Sequence, residues 1–176
     1  MQFIIGQILG LVALAFTALS YQTESSKKML VIQTVATAMF SIHYLLIGAA
    51  TGMALNILAI VRNLIYCNRD KNFLPFRLDR KYCKGWFFPI LMTIGIGILG
   101  IRAWSAWYSL LIIIGLMINT MFLALPNTQT IRKSILLTST MILIYDIFVL
   151  SIGGIINEAV AISSSVVGII RMRKKQ

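Results

Sequence analysis

One histidine and two carboxylic acids stand among side chains that are almost all apolar. His43, Arg62, Asp146 and Glu158, with Asn56 and Asn119, interrupt long runs of Ile, Leu, Val, Met and Ala. A charged group inside such a run costs roughly 2.5–3.5 kcal/mol on insertion scales, so it faces a partner or a wet cavity. Two acids at one level resist joint ionisation. With a histidine beside them, that arrangement suits a proton relay or a cation site. A purely structural reading stands next to it: the acids pair with His43 or Arg62, His43 bonds a neighbouring helix, Arg62 snorkels and Asn119 serves as helix–helix glue. Nothing else carries chemistry. There is a single His, no metal-spaced cluster and no glycine-rich loop followed by Lys and Ser or Thr, so neither a cofactor nor an enzyme is expected.

The composition sets what must position these groups. Of 176 residues, 59% are hydrophobic and 12% charged, with a mean hydropathy of +0.87. A soluble domain carries roughly 25% charged residues. Lipid must therefore solvate most of this chain, and the bilayer is its first partner. The apolar runs are Phe3–Leu19, Met29–Ile47, Met53–Cys67, Trp86–Ile101, Trp107–Leu125, Ile135–Ile152 and Ile155–Met172. Strands with open edges leave backbone groups unpaired in lipid, so each run reads as a helix. About 20 helical residues cross a hydrocarbon core of about 30 Å. The expected fold is an all-α membrane protein of about seven transmembrane helices. The first run lacks a basic leader and is longer than a usual signal core, so it is kept as a span.

The net charge of +11 falls in alternate loops and forms no basic face along one element, which excludes a nucleic-acid partner. Segments 21–28, 68–85 and 126–134 and the tail from Arg171 hold Lys27, Lys28, Arg69, Lys71, Arg77, Arg80, Lys81, Lys84, Arg132, Lys133, Arg171, Arg173, Lys174 and Lys175. The opposite side has only Arg102. Positive loops stay in the cytoplasm, so the topology is multi-pass, N-terminus outside and C-terminus inside. Cys67 and Cys83 flank the long basic loop and are expected to be reduced and incidental.

The halves correspond at low resolution. His43-Tyr44 precede a glycine turn and Asn56; Tyr145-Asp146 precede a glycine turn and Glu158, at the same spacing. Arg62 and Arg171 break this register. The chain divides into a first three-helix repeat (1–67), a basic cytoplasmic loop (68–85), a linker helix (86–102) and a second three-helix repeat with a basic tail (103–176). One linker helix puts the two triplets in the same orientation, a 3-1-3 build in which a substrate site lies between the repeats. Chance alignment of two apolar triplets is the alternative. Counted from the external turns at about 1.5 Å per residue, His43, Asn56, Asp146 and Glu158 lie roughly 6–9 Å inside the outer boundary.

The stretch Ile42-His43-Tyr44-Leu45-Leu46-Ile47-Gly48, then Leu55-Asn56 through Arg62-Asn63, resembles the YgjV family of bacterial inner membrane proteins. Ser151-Ile152-Gly153-Gly154, Glu158 and Gly168-Ile169-Ile170-Arg171 agree, so the resemblance covers nearly the whole chain. It implies a place in the inner membrane and no particular activity. More distantly, Leu125-Pro126-Asn127 and Gly48 with Asn56 resemble the PQ-loop proteins, including SWEET-type sugar transporters. No Pro-Gln pair occurs, and Glu158 stands where the second Asn of that family would be. That resemblance implies that Asn56 and Glu158 face each other across a cavity, and that Pro126 is a hinge, since proline removes a helix hydrogen bond.

The leading expectation is a small-solute transporter working by alternating access between the two bundles, with an unidentified substrate and a role for protons. Its substrate-binding residues would be Asn56 and Glu158, with His43, Tyr145, Asp146 and Asn119 around them. The alternative is a non-transporting sensor or scaffold that uses loop 68–85, and homo-oligomerisation is left open. A membrane-embedded enzyme would have only the cluster of His43, Asp146 and Glu158 behind it.

Overall fold

Backbone groups in an apolar run satisfy one another within a helix, and the runs fold accordingly. The computed structural model describes residues 1–21, 26–68, 86–123 and 128–173. Among them are seven helices and no strand: α1 (Gln2–Tyr21), α2 (Ser26–Leu46), α3 (Ala50–Asn68), α4 (Phe87–Arg102), α5 (Ser109–Leu123), α6 (Thr128–Phe148) and α7 (Ile152–Arg173). The basic loop 69–85, with Cys83, and the proposed hinge Pro126 lie outside the described residues.

Most boundaries fall close to the apolar runs. The exceptions have local causes. α6 begins at Thr128 rather than Ile135, because a helix goes on hydrogen-bonding through polar residues beyond the end of its apolar stretch. α5 begins at Ser109 rather than Trp107. The Ser109 hydroxyl accepts from the backbone N–H groups of Ser105 and Ala106, at 3.3 Å each, and closes the turn that carries Trp107 and Tyr108.

The burial pattern suits lipid. Ile4, Ile8, Ile42, Leu45, Ile94, Ile98, Ile147 and Phe148 are exposed, while His43, Thr51, Thr120, Thr138, Asp146 and Ser151 are buried. An apolar outside with polar groups gathered within is what a hydrocarbon solvent selects. By length and composition, one described helix, Gln2–Ser20, is long and apolar enough to cross a membrane. Val31–Leu46, Ala50–Ile65, Phe87–Arg102, Ser109–Phe122 and Ile152–Val167 are shorter apolar stretches.

Packing follows the chain and then closes on itself. α1 packs on α2, α2 on α3, α5 on α6 and α6 on α7; α1 also meets α7, and α3 meets α5. α4 lies against α3 and α5. The approach of α1 to α7 is close because both carry glycine where they cross: a Cβ on Gly153 would stand 2.5 Å from the Gly10 carbonyl carbon.

The α2–α3 and α6–α7 turns share one backbone pattern. Ala49 N–H donates to Tyr44 O and Gly48 N–H to Leu45 O; Ser151 N–H donates to Asp146 O and Leu150 N–H to Ile147 O. The first bond of each pair is the longer loop of a Schellman-type helix end, which needs a left-handed residue. Gly48 at φ 79° and Leu150 at φ 54° supply it. Tyr44 and Asp146, which occupy the same place in the two turns, are 102 residues apart.

Candidate functional site

Both turns lie at one end of the helices, and a polar cluster is built between them. His43 comes from the last turn of α2. Its Nδ1 lies 2.7 Å from Gly6 O on α1, and its Nε2 lies 2.8 Å from Ser151 Oγ. A carbonyl has no proton to give, so Nδ1 is the protonated nitrogen. The ring fits because Gly10 is beside it; a Cβ there would come within 2.9 Å of Nδ1.

Asp146 is one helical position beyond Tyr145, at the end of α6, and is fully buried. Tyr44 donates its hydroxyl proton to Asp146 Oδ1 at 2.6 Å. Ser151 lies within reach of the same carboxylate, but the aligned bond of its hydroxyl runs to His43. Oδ2 therefore has no hydrogen-bond partner among the described residues. Gly154 completes the corner: its N–H donates to Ser151 Oγ at 3.1 Å, and a Cβ on it would strike both Asp146 Oδ2 and Ser151 Oγ. Tyr145 turns the other way, and its hydroxyl accepts from Gly52 N–H at 2.9 Å.

These contacts join residues 6–52 to residues 145–154, so the cluster straddles the first three helices and the last three. Two flanking groups do the same. Gln7 donates to Leu150 O and accepts from Ile152 N–H. Thr51 donates to Ala103 O and shares a hydrogen bond with Ser109 Oγ at 3.0 Å.

Above Tyr145 a cavity of about 250 Å³ is lined by Phe3, Ser105, Tyr108, Phe148 and Leu150, among others. Its wall is aromatic: Tyr108 and Phe148 stack at 5.4 Å with their planes 3° apart, and Tyr108 lies 5.9 Å from Tyr145.

The expected site residues thus separate into groups. His43, Tyr145 and Asp146 come together. Asn56 is partly buried on α3 and donates to Gly52 O in its own helix at 2.8 Å. Glu158 on α7 accepts from Asn157 at 3.1 Å and lies within reach of Ser139 on α6. It lies near enough to Asp146 and Tyr44 to act on them through its charge, without touching either. Asn119 sits ten positions into α5 from Ser109, about 15 Å further along the helix. Arg62 reaches Thr120 on α5 at 3.3 Å. Among the described residues no group of three or more His, Cys, Asp or Glu could hold a metal ion.

Tyr44 and Ser151 were not among the expected site residues. Tyr44 was discoverable, since it holds the place in the first turn that Asp146 holds in the second. Ser151 stood out only as part of the Ser151–Gly154 block that carries the YgjV resemblance, with nothing to mark its hydroxyl.

An apolar, lipid-suited exterior around buried polar contacts defines an all-helical membrane protein. The chain belongs to the YgjV family: residues 4–176 match the Imp-YgjV family, described as a bacterial inner membrane protein. No curated protein and no solved structure matches it.

Proposed function

We propose that the chain is a small-solute transporter of the bacterial inner membrane. In this reading seven spans form two parallel three-helix bundles, α1–α3 and α5–α7, joined by α4, and the solute passes between them by alternating access. The N-terminus and both hairpin turns face outward, and the basic loops face the cytoplasm. One observation carries the reading. Polar side chains buried at the hairpin end bond across the two triplets, His43 to Ser151 and Tyr44 to Asp146, and they include a carboxylate oxygen with no donor among the described residues. Buried ionisable groups of this kind in membrane bundles often mark a solute, ion or proton path, which supports the reading. The matched turns support a parallel repeat, and the aromatic-walled cavity beside the cluster suits a vestibule. Asn56 and Glu158, at equal distances beyond the two turns, line the route below it.

The test is flux from proteoliposomes of the purified chain, loaded with separate labelled sugars, amino acids and small organic acids. Saturable flux of at least one class is expected, with a fall of about tenfold or more in the N56A/E158A double variant. Unchanged flux in that variant removes Asn56 and Glu158 from the route. Absence of flux for every class, with retention of a protein partner through loop 68–85, makes the chain a scaffold or sensor.

A further inference from the structure

We propose that His43, Ser151 and Asp146 form a proton-binding site, in which the Ser151 hydroxyl relays one exchangeable proton between the imidazole and the carboxylate. This deepens the transporter reading by naming a ligand of its cluster, and it rests on that reading only for the use made of the proton.

The argument is a count of protons. His43 Nδ1 is committed to Gly6 O, so only Nε2 is free to exchange. Nε2 faces Ser151 Oγ at 2.8 Å. That oxygen already accepts from Gly154 N–H, and it has one proton to give. Two acceptors compete for it: His43 Nε2 and the Asp146 carboxylate beside it. Oδ1 is supplied by Tyr44, and Oδ2 is fully buried with no partner among the described residues. A buried carboxylate oxygen without a donor is costly, so it calls for a proton.

Two arrangements satisfy every atom. In one, imidazole is neutral, Ser151 donates to Nε2, and Asp146 carries its own proton on Oδ2. In the other, the imidazolium donates from Nε2 to Ser151, and Ser151 donates to Oδ2 of an ionised Asp146. They interconvert when the Nε2 proton passes to Oγ while the Oγ proton passes to Oδ2. One N–H bond breaks, one O–H bond forms on the carboxyl, the hydroxyl is regenerated, and total charge is unchanged. Release of the shared proton to either side leaves the neutral imidazole facing the carboxylate.

The surroundings leave this exchange to the three residues. α2 also contributes Tyr44, which is spent on Oδ1; α6 contributes Tyr145, whose oxygen is held by Gly52 N–H. α7 contributes Glu158, which accepts from Asn157 and lies within reach of Ser139. Tyr108 on the α4–α5 connection stands behind Tyr145. α1 and α3 present the glycines Gly6, Gly10 and Gly52. His43 belongs to the first triplet, Ser151 and Asp146 to the second. Parting of the triplets at the hairpin end would break the His43–Ser151 contact, so the relay exists only while that end is closed.

His43 is the only histidine in the chain, which makes the test clean. The full chain, labelled with 15N-histidine and reconstituted in phosphatidylethanolamine/phosphatidylglycerol vesicles, is followed through a pH series. Nitrogen NMR reports His43, and the infrared carboxylic-acid band lost in D146N reports Asp146. The two signals are expected to change at the same pH, to do so still in S151T, and to separate in S151A. Signals that change at different pH values in the native chain, a signal that stays constant through the series, or coincidence kept in S151A would each overturn the proposal. No substrate enters the measurement, so this result and the flux result stand or fall separately.

Discussion

At the scale of single residues, Tyr44 matters because it supplies the one aligned donor that Asp146 has among the described residues. Removing that hydroxyl leaves Oδ1 without a donor among the described residues, and an unsatisfied buried acceptor costs about 1–3 kcal/mol, toward the upper end for a charged group. Y44F is therefore expected to lower stability by about 2–3 kcal/mol, read by chemical unfolding in detergent. N56A makes the contrast. Among the described residues Asn56 bonds only Gly52 O, which also lies within helix α3, so its loss is expected to cost less than about 1 kcal/mol. Equal losses in the two variants would mean that the cluster does not hold the halves together. Position along each helix was legible at this scale, because residue spacing converts directly to rise. The direction each side chain faces was not. With nearly every neighbour apolar, no stripe marked the buried face, so Asn56, Glu158 and Asn119 could not be separated from His43 and Asp146.

Individual elements show their logic best in the two turns. Both end a helix in a left-handed residue, yet one uses glycine and the other leucine. A side chain in that region costs about 1–2 kcal/mol. G48A is expected to be destabilising by that amount, since nothing lies near enough to Gly48 for a clash to add to it. L150G should run the other way. Leu150 is 63% exposed, so little packing is lost, and relief of strain outweighs the extra chain entropy of glycine by up to about 1 kcal/mol. Melting temperatures of the two variants are expected to move in opposite directions. At the crossing of α1 and α7 the neighbour of Gly153 is backbone, which cannot swing aside. G153A should therefore cost about 1–3 kcal/mol as overpacking and loosen the grip of Gln7 on the α6–α7 turn. Helix positions were readable from apolar runs alone. Their ends were less so, because Thr128 and Ser109 answer to hydrogen bonding, which ignores where the hydrocarbon stops.

For the whole molecule the decisive feature is α4. Its 16 residues span about 24 Å, near the short limit for crossing a bilayer. If α4 crosses, the triplets point the same way; if it lies along the surface, they point oppositely and their hairpins face opposite solutions. Tyr44 and Asp146 sit at equivalent places in those hairpins and are 2.6 Å apart. Gln7, on the first triplet, holds the second turn directly. Hairpins on opposite sides of about 30 Å of hydrocarbon could make none of these contacts. The Lys and Arg distribution favours the same proposed arrangement, since a surface-bound α4 would put Arg132 and Lys133 on the side facing the cell exterior. Reporter fusions in the native host separate the two cases. Alkaline phosphatase inserted at 48–52 and at 151–154 is expected to be active, and fused within 68–85 or after Lys175 to be inactive, with a fluorescent cytoplasmic reporter giving the reverse. Opposite activity at the two hairpins would require a chain in which the first and last triplets never meet, and neither the cross-triplet cluster nor the carrier built on it could then exist.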